Sequence, residues 1–264
     1  MEKHFELTDE TIEVAGNTLH RIRCTRDCKW AKTGDLGGFI EKEDNLSGDA
    51  WVAGNAQVAG NARVAGNAQV SGNAWVYDNA QVSGNAWVSG TARVSGNAWV
   101  YDNAQVSGNA WVSGTARVSG NAWVYDNARV SGNAWVYDNA QVSGNAQVCG
   151  DAQVCGDARV YDNAQVSGNA WVSGDAQVCG DAQVCGDARI DCIKAHCGFD
   201  VFGSCGRHTH AYITAENKIE ITCGCFRGSI EEFEAKVRRT HGDNQYAHEY
   251  LAIIYLIKIK FGLV

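Results

Sequence analysis

Among its 264 residues the chain has no proline, one methionine, no histidine between Leu46 and Ile190, and no apolar stretch longer than Leu251 to Ile257. Each absence excludes something. Without proline, a backbone hydrogen-bond ladder can run uninterrupted. Seven apolar residues are far too few to cross a bilayer, so no membrane partner is expected. The beginning of the chain, Met1 to Glu10, lacks a basic segment followed by an apolar run, so no secretory signal is expected. Net charge is −8, divided as 10 acids and 7 bases in residues 1–45, 11 and 6 in 46–190, and 9 and 9 in 191–264. No segment carries the basic footprint of a nucleic-acid binder, and nucleic acid is not expected as a partner. The eleven cysteines, an odd count with no export signal, read as reduced thiols and a cytoplasmic location.

What the chain does have is a repeat. From Leu46 to Ile190 an aliphatic residue stands at every sixth position, 25 in all, with no insertion or deletion, and four residues after each comes an alanine, from Ala50 to Ala188. The unit is V-[SAYC]-[GD]-[NTD]-A-[QWR]. Alanine and valine are one residue apart, so both point to one side of a strand, inward, while the residue between them and the one after valine point outward. Gly-Asn or Asp-Asn turns the corner, because these residues tolerate left-handed backbone. Three such steps close a triangle in 18 residues, which predicts about eight stacked coils, each stable only under cover of its neighbours.

Residues 1–45 and 191–264 should cap this rod. TIEVA-GN-TLHRIR predicts a hairpin around Gly16-Asn17. HAYIT and NKIEITCGCF predict strands. Ser229 with Glu232 three residues on predicts a capped helix to about Thr240, and a second helix follows over 244–260, although Ile257 to Phe261 also alternates like a strand.

The hexad resembles the hexapeptide repeat of left-handed parallel β-helix proteins, and that resemblance, not periodicity, supplies the expected hand. The caps resemble those of uncharacterised phage and prophage proteins with hexapeptide-like repeats. The motifs that carry the likeness are Gly34 to Glu41 with Asn45-Leu46-Ser47 at the front. Behind, they are Gly224-Cys225-Phe226, Gly228, Glu231-Glu232-Phe233 and Thr240 to Asn244. The resemblance implies a mainly β, left-handed β-helix with an N-terminal β cap and a C-terminal α+β cap. It brings no established activity, though such proteins are often labelled acyltransferases.

Two readings of function follow. The first is a non-catalytic phage-type accessory protein that binds a host protein, inhibiting a host defence system or acting as a scaffold. The second is an acyltransferase-like enzyme. Hexapeptide acyltransferases commonly use a histidine on a coil and a loop projecting from the rod; here the repeat has neither, so an enzyme would have to rely on His196, His208, His210 or His241 in the cap. These four are expected not to converge on a pocket. No cofactor is expected.

Eight of the nine tryptophans occupy the outward position before valine. On one face Trp75, Arg93, Trp111 and Arg129 alternate one coil apart, as cation–π pairs would; Trp99 and Trp135 belong to another face. With Leu256 and Phe261 of the last helix these are the candidate binding surface. Residues 71–94 and 95–118 are identical, a copy of four hexads, which shifts each side chain to the next face. Asn67, Asn85, Asn103, Asn121 and Asn139 should stack as an amide ladder. Asp157 and Asp175 continue that edge; they, with Cys192, Cys197, Cys223 and Cys225, are weak metal candidates whose spacing fits no usual zinc site. Residues Tyr250 to Phe261 are apolar around most of the helix, which predicts a homo-oligomer through the C-terminal cap.

Overall fold

In the computed structural model, which describes residues 3–204 and 206–264, the chain is a β-solenoid of about eight turns, mainly β, with a small C-terminal cap of sheet and helices. Met1, Glu2 and Cys205 lie outside the described residues. Three strands precede the rod, β1 (Phe5–Val14), β2 (Asn17–Cys24) and β3 (Leu36–Ile40). The rod consists of 24 two-residue strands, from β4 (Trp51–Val52) to β27 (Arg189–Ile190). They form three parallel sheets, in which each strand pairs with the third one before and the third one after it. The first face runs from β5 to β26, the second from β4 to β25 and the third from β6 to β27.

The predicted register holds throughout. Every valine from Val52 to Val184 is fully buried, as is Ile190, and the alanine four residues after each aliphatic, from Ala50 to Ala188, is at most 2% exposed. The ladder passes from coil to coil, Trp75 N–H to Ala92 O at 2.9 Å and Tyr77 N–H to Val94 O at 3.0 Å. A core of valine over alanine leaves no room at the corners. A Cβ on Gly84 (φ 71°) would come within 2.8 Å of the Asp102 backbone in the next coil. Five corners nevertheless carry aspartate at φ 58–61°: Asp78, Asp102, Asp126, Asp138 and Asp162. Each accepts, through Oδ2, the N–H of the glycine one coil on: Gly96, Gly120, Gly144, Gly156 and Gly180, at 3.0–3.2 Å. The carboxylate thus uses the donor that its corner exposes.

The expected amide ladder is present: Asn67 Nδ2 donates to Asn85 Oδ1 at 3.2 Å, and the chain continues through Asn103, Asn121 and Asn139 to Asp157. A second corner has its own ladder, from Asn109 through Asn127, Asn145 and Asn163 to Asp181. Each donates in the C-terminal direction and ends on a carboxylate, which can only accept.

At the front, the hairpin turn is Ala15-Gly16, both at positive φ (51° and 84°), one residue earlier than predicted. A two-residue turn with positive φ at both positions matches strand twist, and here Ala15 accepts it. Strand β3 pairs antiparallel with β2 and parallel with β5, so it converts a hairpin into the first layer of the rod. Gly37 and Gly38 allow this: a Cβ on Gly37 would lie 2.5 Å from the carbonyl oxygen of Val52, and one on Gly38 2.5 Å from that of Ala56. Glu41 accepts the Gly60 N–H at 2.6 Å, and buried Asn45 donates to Ala62 O at 2.8 Å. Trp51, expected outward, is only 2% exposed, because the cap covers it with His4.

At the back, β28 (His196–Phe202), β29 (Arg207–Ile213), β30 (Ile219–Cys223) and β31 (Phe226–Gly228) form an antiparallel sheet, followed by α1 (Ile230–His241) and α2 (Gln245–Lys260). Strand β28 is additional to the predicted elements. Ser229 and Glu232 form the predicted capping box, and α2 remains helical through Ile257 to Lys260, where the alternation also allows a strand. Among the described residues no helix is long and apolar enough to cross a membrane.

Candidate functional surfaces

The C-terminal sheet has two unlike sides. One, with Ala211, Ile221 and Cys223, packs on Phe233, Val237, Tyr250, Ile253, Ile254 and Ile257 of the helices. The other meets the last coil, which has no following coil to bond. Thr222 Oγ1 donates to Gln183 O at 3.0 Å, Tyr212 OH to Cys185 O at 3.4 Å, and Ala215 N–H to Asp187 O at 2.8 Å. Polar side chains on this side thus replace the missing strand.

The histidines belong to the same side. His196 Nδ1 and His210 Nε2 are 2.9 Å apart, the His208 ring lies 5.6 Å from that of His210, and His208 Nδ1 contacts Asp200 Oδ1 at 2.5 Å. Three of the four candidates therefore come together. They meet one another, and none of them lines the cavities described below. His196 and His210 face the backbone of Gln177 and Gln183 without well-aligned hydrogen bonds, and His208 Nε2 has no partner. Burial pushes His210 down to about 3 and His196 to about 4; neighbouring His196 and His208 add to the first shift, Lys260 and His208 to the second. Both are neutral at pH 7. His241 is apart, stacked on Tyr250 with centroids 5.6 Å apart. It borders a cleft of about 170 Å³ with Arg207, Cys225, Phe226 and Lys236. A larger cleft, about 850 Å³, lies at the opposite end between Lys3, Arg26, Glu43, Asp49 and Arg63.

The weak metal candidates are dispersed. Cys192 packs beside the rod core, while Cys197 and Cys223 belong to the helix side; burial raises the Cys197 thiol to about 11, and Cys223 Sγ accepts from Thr209 at 3.3 Å. Cys225 is exposed. Asp157 ends an amide ladder and Asp175 accepts the Ile193 N–H at 3.3 Å. Among the described residues no three His, Cys, Asp or Glu side chains are grouped to hold a metal ion, and the ten described cysteines are free.

The rod surface follows the predicted columns. Trp75 pairs with Arg93, Arg93 with Trp111, and Trp111 with Arg129. Arg129 lies 5.9 Å from the Trp111 ring, Arg117 6.0 Å from Trp99 and Arg189 4.7 Å from Trp171. The indole N–H groups of Trp111 and Trp135 donate to Ser95 and Ser119, sixteen residues earlier, at 3.2 and 3.3 Å. Trp75 has Ala59 at that place, and its buried Nε1 has no partner. Trp75, Trp111 and Trp135 are half-buried; Trp99 is 44% exposed. Trp87 and Trp123, not singled out from sequence, are the most exposed at 46% and 47%. The available signal was the glutamine on both sides of each, where other columns place arginine. On α2, Leu256 is 49% exposed beside Tyr255 and Ile259, whereas Phe261, expected at the surface, packs partly on the helix core.

Seven segments of the rod, residues 56–72, 68–83, 92–108, 104–120, 116–138, 152–164 and 164–180, match the family described as YdcK Beta solenoid repeat. The chain is a repeat β-helix protein. The matches stop short of both caps. A search of curated proteins finds no match.

Proposed function

We propose that this is a non-catalytic binding or scaffolding protein, of the kind a phage encodes to engage a host protein in the cytosol, components of host defence included. The observation that supports this reading most is the display of large apolar side chains on a rigid frame: Trp87, Trp99 and Trp123 on the rod, and Tyr255, Leu256 and Ile259 in one stripe of α2. Monomeric proteins bury such groups, and tryptophan and arginine dominate the energetic centres of interfaces. The stripe is also the surface through which the C-terminal caps would self-associate. Against an acyltransferase stand the uninterrupted coils, with no projecting loop, and the covering of His196 and His210 by the rod end.

The test is affinity capture from a host lysate with wild type, Arg117→Ala/Trp99→Ala and Leu256→Asp in parallel. A stoichiometric protein partner lost in one variant is the expected result. Binding of acetyl-CoA at millimolar concentration or tighter, abolished by His208→Ala, would reverse the reading.

A further inference from the structure

The three faces are built from one hexad but differ in charge. Arg93 and Arg129 share the first face with its tryptophans, Arg63, Arg117 and Arg189 the third, and Arg159 alone the second, one coil beyond Gln141. Ahead of Arg159 the second face is different. Its column reads Gln69, Trp87, Gln105, Trp123, Gln141 over five coils, and the adjoining outward column, Ser71 to Ser143, contains only serine and Tyr125. No side chain of either stretch is ionisable near neutral pH. The nearest carboxylates, at corners Asp102, Asp126 and Asp138, are turned along the rod onto glycine N–H groups.

This neutral area holds the two most exposed tryptophans, and both are held in place. Trp87 Nε1 donates to Ser71 Oγ at 3.2 Å, and Trp123 meets the Tyr125 ring at 6.4 Å, edge to face. The ladder fixes them two coils apart, about 10 Å. Over these five coils the column reads identically in both directions from Gln105, and beyond them it meets Trp51 under the front cap and Arg159. A two-fold contact between identical chains needs a self-complementary patch, and in a protein of net charge −8 it forms at least electrostatic cost where the surface carries no charge.

We infer that a second copy of this chain packs antiparallel on the second face, with the two-fold axis at Gln105. Trp87 then meets Trp123 of the second copy, and Gln69 meets Gln141 of the second copy. The antiparallel arrangement keeps the two C-terminal caps at opposite ends. This contact is independent of the α2 stripe. It spans five coils, about 20 Å, and so is a weak one, expected in the micromolar range.

Sedimentation from about 1 to about 100 µM tests it. Wild type should pass from monomer to dimer, and Trp87→Arg/Trp123→Arg should remain monomeric with an unchanged melting curve, because arginine already occupies equivalent positions on the other faces. Leu256→Asp should leave this dimer intact. Under mild oxidation Gln105→Cys should give a covalent dimer above the wild-type thiol background, as should Gln69→Cys mixed with Gln141→Cys, but not Gln69→Cys alone. A wild type that stays at 28.4 kDa throughout overturns the inference. So does a dimer that survives the double arginine variant, or one cross-linked by Gln69→Cys alone.

Discussion

A hexad in the middle of the rod and one in the last coil follow one pattern, Gln-Val-Ser-Gly-Asn-Ala and Gln-Val-Cys-Gly-Asp-Ala, and face different problems. Gln105 has a strand on either side, and its backbone is satisfied by copies of itself. Gln183 has a strand on one side only, and on the other it meets Thr222 and His210. Interior coils are interchangeable, which is why a 24-residue string occurs twice in succession. The last coil is not, because only one arrangement of polar side chains on β28 to β30 fits its free edge. Repetition supplies length, and the unique part of the sequence is used to stop it.

Acid should separate the two regions most. In the unfolded chain the histidines titrate near 6.5, whereas folded His210 and His196 titrate at about 3 and about 4. Their neutral forms therefore contribute full stability above about pH 6.5, and this is lost progressively as pH falls toward 4, each histidine giving up about 1.4 kcal/mol for every pH unit crossed. The C-terminal cap should melt separately from the rod near pH 5, with a loss of several kcal/mol against pH 7.5. Calorimetry of wild type and His210→Gln checks this; a cap whose melting temperature does not move between these pH values contradicts it.

Corner chemistry gives the next largest effects, all within the rod. Asp126→Ala loses both the tolerance of φ 58° and the bond to Gly144, and should cost about 1–2 kcal/mol, while Asp126→Gly should fall within a few tenths. Ladder polarity makes a finer distinction. Asn121→Asp can accept from Asn103 but cannot donate to Asn139, so it should cost about 1 kcal/mol, and Asp157→Asn close to nothing. Equal effects in denaturant melts would show that the ladders have no direction. On the outer surface Arg129→Ala should cost about 0.5–1 kcal/mol through the loss of its contact with Trp111.

The rod was legible because each of its contacts repeats a local rule: valine and alanine two apart, a corner every sixth residue. What escaped depended on contacts without a period. Strand β28 pairs with β29 across the turn containing Gly203 and Gly206, and only that pairing brings His196 to His210. Trp51 obeys the hexad and is buried because β1 and β2 fold back over it. Phe261 followed the apolar run of α2, but the helix ends there, and its ring turns toward the helix core. The front motif was visible as Gly-Gly-Phe-Ile-Glu, while its purpose, two backbones in near contact, required the partner strand.

The aspartate corners also govern how such a rod can grow. Asp78, Asp102, Asp126, Asp138 and Asp162 follow one another at 24, 24, 12 and 24 residues, never 18. At 18 two carboxylates would stand one strand apart, the second in place of the glycine whose N–H the first accepts. A duplication of one whole turn containing Tyr-Asp-Asn therefore adds like-charge repulsion, although it would preserve every face. A duplication of four hexads is permitted, although it rotates every face by a third. A rod lengthened by four of its own hexads, as at 71–94 and 95–118, changes what each face presents, so its outward chemistry is reshuffled as it gains length.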